Sequence, residues 1–239
     1  MYRLYIGNKN YSSWSLRPWI LMRERAIDFE ERLEPFDEGG SWSRFRMFSP
    51  TGRVPCLHDG ALVVWDSLAI AEYLAERHPG VWPKEAAARA WARCAAAEMH
   101  SGFEALRRTC SMNCGVRVEL ASIPDDVARD IERVGELWSE GLERFGGPFL
   151  AGGSYTAADA FFAPVVLRVQ TYGLELARAA ADYARRALER PALRQWQQEA
   201  LAEPWRELRH EAEMRAGARR WDDLRVPPRA DSLAARVGG

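Results

Sequence analysis

Residues 8–19 read NKNYSSWSLRPW. They follow a short aromatic and β-branched run, YRLYI (2–6), and lead into a segment where Leu16, Trp19, Ile20 and Met22 recur at helical spacing. A strand, a serine-rich loop and a helix in that order set Ser12, Ser13 and Ser15 beside the unpaired N–H groups of a helix start. Such an end carries partial positive charge and favours an anion. A thiol, with a free pKa of about 8.5, ionises more readily there. The duller alternative is that the serines only cap the helix. Ser15 looks best placed for that, with the helix running to about Arg25 and Pro18 in its first turn.

Working outward, DFEERLEP (28–35) reads as a second strand. SPTGRVPCLHDG (49–60) is a turn, a short strand and a turn. ALVVWD (61–66) is another strand, and SLAIAEYLAERHPG (67–80) is a helix closed by Pro-Gly. The composition then changes. The segment 81–108 has a proline near its start and runs into a long alanine-rich helix (85–108), followed by helical stretches at 123–145, 156–171, 175–189 and 191–201, with no convincing strand. The fold class expected is α/β plus all-α: a small α/β domain over 1–79, a helical domain over 84–215, and a tail over 216–239 lying on the surface or fraying.

The chain has 239 residues, enough for a good core in one domain or two small ones. A hydrophobic content of 47% and a formal net charge of −1 are those of an ordinary globular protein and lack the basic footprint of a nucleic-acid binder. No segment is long and apolar enough to suggest a membrane span, and the first residues show no signal-peptide pattern. Cys56, Cys94, Cys110 and Cys114 form no CxxC pair and no metal cluster, so free buried thiols in a reducing, cytoplasmic compartment are expected.

Two further dipeptides matter. If the Val54-Pro55 bond is cis, the Val54 backbone turns outward, free to pair with an extended peptide; a plain edge-strand proline is the alternative. Asp66-Ser67 opens a helix. The Ser67 hydroxyl and N–H suit a carboxylate and Asp66 suits an ammonium, so together they match an α-amino-acid head group. Read singly, the pair is an ordinary N-cap.

In order and spacing, YRLYI, SSWSLR, GRVPCL and WDSLAI resemble the N-terminal domain of the glutathione transferases, a thioredoxin-like fold. GGSYTAADAFFAPV resembles the family's helix-capping box, here Thr156 and Asp159, a structural element. The resemblance covers roughly residues 2–200. It implies a helical bundle as second domain and glutathione as cosubstrate. It implies Ser12, the first serine of the loop, and Ser15 as catalytic, with Ser13 and Trp14 beside them binding glutathione; Trp14 stands where many relatives have Phe or Cys. It implies Val54 and Pro55 at the cysteinyl part, and Asp66 and Ser67 at the γ-glutamyl end, where the family more often has Glu at the first position. Arg53 falls at the glycyl end. The same resemblance implies a cytoplasmic homodimer in detoxification, acting on a small electrophile, with Glu98, or after it His100 or Ser101, reaching the partner's site. SSWS also resembles the loop of maleylacetoacetate-type isomerases, where a Cys replaces Trp14. A non-catalytic interaction module is the remaining alternative. Met99, Phe103, Leu106 and Cys110 read as a core stripe, and Cys56 as buried and inert.

Overall fold

The computed structural model describes residues 1–37 and 39–225. The first half contains β1 (Tyr2–Ile6), α1 (Ser13–Glu24), β2 (Phe29–Leu33), a short α2 (Trp42–Phe45), β3 (Cys56–Asp59), β4 (Leu62–Trp65) and α3 (Ser67–Ala75). The sheet order is β2-β1-β3-β4. β1 and β2 are parallel, which demands a crossover, and α1 supplies it. β3 and β4 form an antiparallel hairpin across Gly60, whose φ of +59° suits a tight turn. This is the thioredoxin-like domain expected from the sequence.

The second half contains α4 (Ala86–Ser101), α5 (Glu104–Thr109), β5 (Val116–Leu120), α6 (Asp125–Phe145), α7 (Ala157–Tyr172), α8 (Arg178–Leu188), α9 (Pro191–Ala202), α10 (Leu208–Ala216) and β6 (Ala218–Asp223). α7 is buried along nearly its whole length, and it packs against α1, α4 and α8. Asp159 closes its start. It accepts hydrogen bonds from Thr156 N–H (2.9 Å), Thr156 Oγ1 (3.1 Å), Leu150 N–H (2.9 Å) and the Tyr183 hydroxyl (3.1 Å). Burial nevertheless raises its pKa to about 6.

Four sequence expectations are corrected. The helical half is not strand-free, since β5 and β6 form an antiparallel pair. The long helix through residue 108 breaks at Gly102-Phe103, where Phe103 takes a left-handed φ of 56° and α5 starts again. Residues 216–225 are not a loose tail. β6 pairs with β5, and Arg225 is buried against Glu211; residues 226–239 lie outside the described residues. Finally, Cys94 is exposed on α4, whereas the other three cysteines are buried. Met99, Phe103, Leu106 and Cys110 are all buried, as the core stripe requires. Among the described residues, no helix is long and apolar enough to cross a membrane.

Lys9, Asn10 and Tyr11, in the loop before α1, are buried, so their polar groups need partners. The helical half supplies most of them. Glu203 accepts the N–H groups of Lys9 (2.6 Å) and Asn10 (3.2 Å). Trp196 Nε1 donates to the Lys9 carbonyl (2.9 Å), and the Tyr11 hydroxyl donates to Glu211 (2.6 Å). The Lys9 ammonium sits between Glu31 and Glu199 and over the rings of Trp19 and Trp196.

Candidate functional site

A cavity of about 470 Å³ opens along the first domain, walled by Trp14, Thr51, Arg53, Val54, Pro55, Trp65, Asp66 and Ser67. The three separated motifs GRVP, WDS and SSW thus meet in space. The Val54-Pro55 peptide bond is cis. Val54 lies just before β3, outside the ladder, whose pairing with β1 begins at Cys56. Its N–H and C=O take no partner among the described residues.

α3 begins at the cavity wall. Asp66 is its N-cap, with Oδ1 accepting from Leu68 N–H (2.8 Å) and Ala69 N–H (3.4 Å). Asp66 adopts φ +74°, a sparsely populated conformation for a residue with a Cβ, of the kind that gathers at functional sites. Ser67 follows at the first helical position. It is 1% exposed, and its Oγ has no hydrogen-bond partner. A buried hydroxyl without a partner at a positive helix end has the chemistry of an anion receptor.

The serine loop differs from its sequence reading. α1 starts at Ser13, two residues earlier than expected, and its cap is Ser12 rather than Ser15. Pro18 therefore lies past the first turn and leaves the Trp14 carbonyl without its usual helical partner. The Ser12 hydroxyl donates to Ser15 Oγ (2.7 Å) and accepts from Ser15 N–H (3.4 Å). Ser15 Oγ in turn accepts Gly7 N–H (3.1 Å), which ties α1 to the end of β1. Ser15 is fully buried and serves this joint; neither it nor Ser12 walls the cavity. Ser13 is half-buried, and its hydroxyl takes no hydrogen bond among the described residues.

Glu98, expected to reach a partner's site, is paired within its own chain. Arg133 of α6 holds its carboxylate through both oxygens, at 2.8 and 3.1 Å. The α4 residue that reaches the site is His100 of the same chain. Its Nε2 lies 3.4 Å from Asp66 Oδ2, and its ring meets Trp14 edge-on at 5.2 Å. Burial lowers the His100 pKa, with Asp66 opposing that shift and Arg17 and Arg107 adding to it. Thr51 and Trp65 are cavity residues that the sequence reading missed. Arg53 is exposed at the rim. Cys56 is buried beneath the cavity, its thiol raised to about 11 mainly by burial, which fits its reading as inert.

The chain is similar to known proteins in sequence and in fold. Residues 11–77 match the family model for the glutathione S-transferase N-terminal domain. A protein named probable maleylacetoacetate isomerase from Caenorhabditis elegans is 27% identical over 176 residues, 72% of this chain and 81% of that one. The crystal structure of a glutathione S-transferase from Rhodospirillum rubrum F11 has a TM-score of 0.62 at 25% identity and covers 90% of this chain and all of its own (100%). A glutathione transferase homologue from Burkholderia, solved with bound glutathione, has a TM-score of 0.64 at 24% identity, covering 84% of this chain and 99% of its own. Residues 11–77 thus carry a glutathione S-transferase N-terminal domain, and over most of its length the chain is similar to glutathione transferases in sequence and fold.

Proposed function

We propose that the protein is a glutathione transferase that activates the glutathione thiol for attack on an electrophile. One observation carries this reading: the orphan hydroxyl of Ser67 stands at a helix start beside Asp66, in the same cavity as the unpaired backbone of Val54. Ser67 and the first turn of α3 receive the γ-glutamyl carboxylate. Asp66 Oδ2, which is not used in capping, takes the ammonium. Val54 pairs with the cysteinyl backbone as an added strand. Arg53 at the rim faces the glycyl carboxylate. The sulfur then lies toward the start of α1, where the helix end favours the thiolate. Ser12 hydrogen-bonds it by rotating away from Ser15, which exchanges a neutral hydrogen bond for a stronger charge-assisted one. Ser13, whose hydroxyl is already free, is the competing donor.

Titration calorimetry with glutathione tests the reading directly. Absence of binding at millimolar concentration would favour an interaction module. Comparing the thiolate absorbance of Ser12→Ala and Ser13→Ala assigns the donor. An isomerase of the maleylacetoacetate type is the second reading, favoured by the Caenorhabditis relative and by the SSWS loop. Trp14 in place of a cysteine weighs against it. The protein is further proposed to act in the cytoplasm, in detoxification, as a homodimer, with Leu62 and Trp65 of edge strand β4 as exposed apolar contacts.

A further inference from the structure

Arg17 lies one turn into α1, and its side chain is 1% exposed. Its Nε and Nη1 are fully enclosed without a hydrogen-bond partner, and no carboxylate forms an ion pair with it among the described residues. A buried charge is normally paired, because removing it from water is costly. Aromatic faces stabilise the charge in part, while two neighbouring arginines add to it. The guanidinium lies 4.1 Å from the Trp14 ring centroid and 5.0 Å from that of Phe161. Arg107 approaches the same Trp14 ring at 5.5 Å, and among the described residues its side chain bonds only the His100 carbonyl. Arg168, also buried, bonds only the Cys110 and Pro164 carbonyls. Three arginines thus share one region without a salt bridge to any of them among the described residues. Asp66, already capping α3 and facing His100, offsets part of this charge at Arg17. The net effect on Arg17 is a pKa lowered to about 9, chiefly by burial and then by Arg168 and Arg107.

Trp14 stands between this positive cluster and the cavity, since its indole both covers the Arg17 guanidinium and walls the cavity. We infer that Arg17, reached past Trp14, is the receptor for a carboxylate on the second substrate, so that the electrophile this protein selects is an anion. The inference rests on the transferase reading for the word substrate. The anion pocket itself stands on the unpaired arginines alone. A carboxylate there would satisfy the enclosed guanidinium with charge-assisted hydrogen bonds and would neutralise the local excess of positive charge.

The test uses 4-nitrobenzoate and its uncharged isostere 4-nitrobenzamide, each titrated calorimetrically into the full chain with and without glutathione. The benzoate is expected to bind about ten-fold tighter or more. In Arg17→Met the ratio should fall to near one, with glutathione affinity unchanged and the melting temperature no lower, because a buried unpaired charge has been removed. Equal affinities in the wild type, or no binding of the benzoate, overturn the inference. So does a benzoate preference that survives in Arg17→Met, which would move the receptor to Arg107. If Arg17→Met does not fold, Arg17→Gln carries the same expectation. Benzoate binding that persists while glutathione fails to bind upholds the anion pocket and sinks the transferase reading.

Discussion

Replacing Ser67 by alanine should move stability and affinity in opposite directions. In the free protein the Ser67 hydroxyl is buried and makes no hydrogen bond. An unsatisfied buried polar group costs about 1–3 kcal/mol. Ser67→Ala removes that cost along with one small polar atom, so stability should hold or rise by about 1 kcal/mol. For a chain of this length that is a rise of roughly 2–4 °C in Tm. In the complex the same hydroxyl would donate to a carboxylate, an interaction contributing about 1.5–3 kcal/mol. Its loss corresponds to a Kd for glutathione weaker by roughly 10- to 150-fold. The effect should fall on KM rather than kcat, because the γ-glutamyl end lies remote from the reacting sulfur. Scanning calorimetry and titration calorimetry on the same preparation read both numbers. A variant that melts several degrees lower and binds glutathione as well as the wild type would refute the reasoning. It would mean that Ser67 is a structural cap whose partner is a water.

Asp159→Ala should be severe, because it strips four donors of their acceptor inside the core. A loss of about 3–5 kcal/mol is expected, or roughly 6–20 °C in Tm by thermal melting; a loss below about 1 kcal/mol would show that the capping box is dispensable. Glu203 gives a pH signature. Burial raises its pKa from 4.5 to about 7, so the folded state holds its proton more tightly than the unfolded one. Stability from this group is therefore full below pH 4.5 and declines as pH rises through 7, by no more than about 3 kcal/mol. Glu203→Gln should flatten that part of the Tm–pH curve, and identical curves would contradict the assignment. Light scattering at micromolar concentration should report twice the 27.1 kDa chain mass; a monomer mass would remove the proposed β4 contact.

What the sequence disclosed, and what it hid, follow from the range of the forces involved. Strands β1 to β4 and helices α1 and α3 were legible because local pattern and local turn residues determine them. Val54, Asp66 and Ser67 were legible because a strand end and a helix start announce themselves over a few residues. β5 carried a signal that was passed over: in VRVEL, Val116 and Val118 alternate with Arg117 and Glu119 at period two. β6, with the sequence ARRWDD, carries almost none and is a strand because β5 and the buried Arg225–Glu211 pair hold it there. The break at Phe103 was masked by a run of good helix formers on both sides. His100 could not be found from spacing, since its place beside Asp66 depends on how α4 docks against the first domain. Ser12 holds the cap expected of Ser15 because the helix starts two residues earlier, which turns Ser15 into a core residue.

The loop that leads into α1 is fastened largely by residues that come late in the chain. Glu199, Glu203 and Glu211 hold Lys9, Asn10 and Tyr11, and Arg225 in turn braces Glu211. During synthesis the first domain would therefore emerge with this loop unbraced, and it would stay so until residues 199–225 had left the ribosome. A fragment ending after α3 would carry every cavity residue and still lack what holds the start of α1 in place. The domain boundary visible in the secondary structure is thus not a place where the protein can be divided. A fusion partner or truncation that disturbs residues 199–225 should be felt at the far end of the sequence, in the geometry of Ser12 and Ser13.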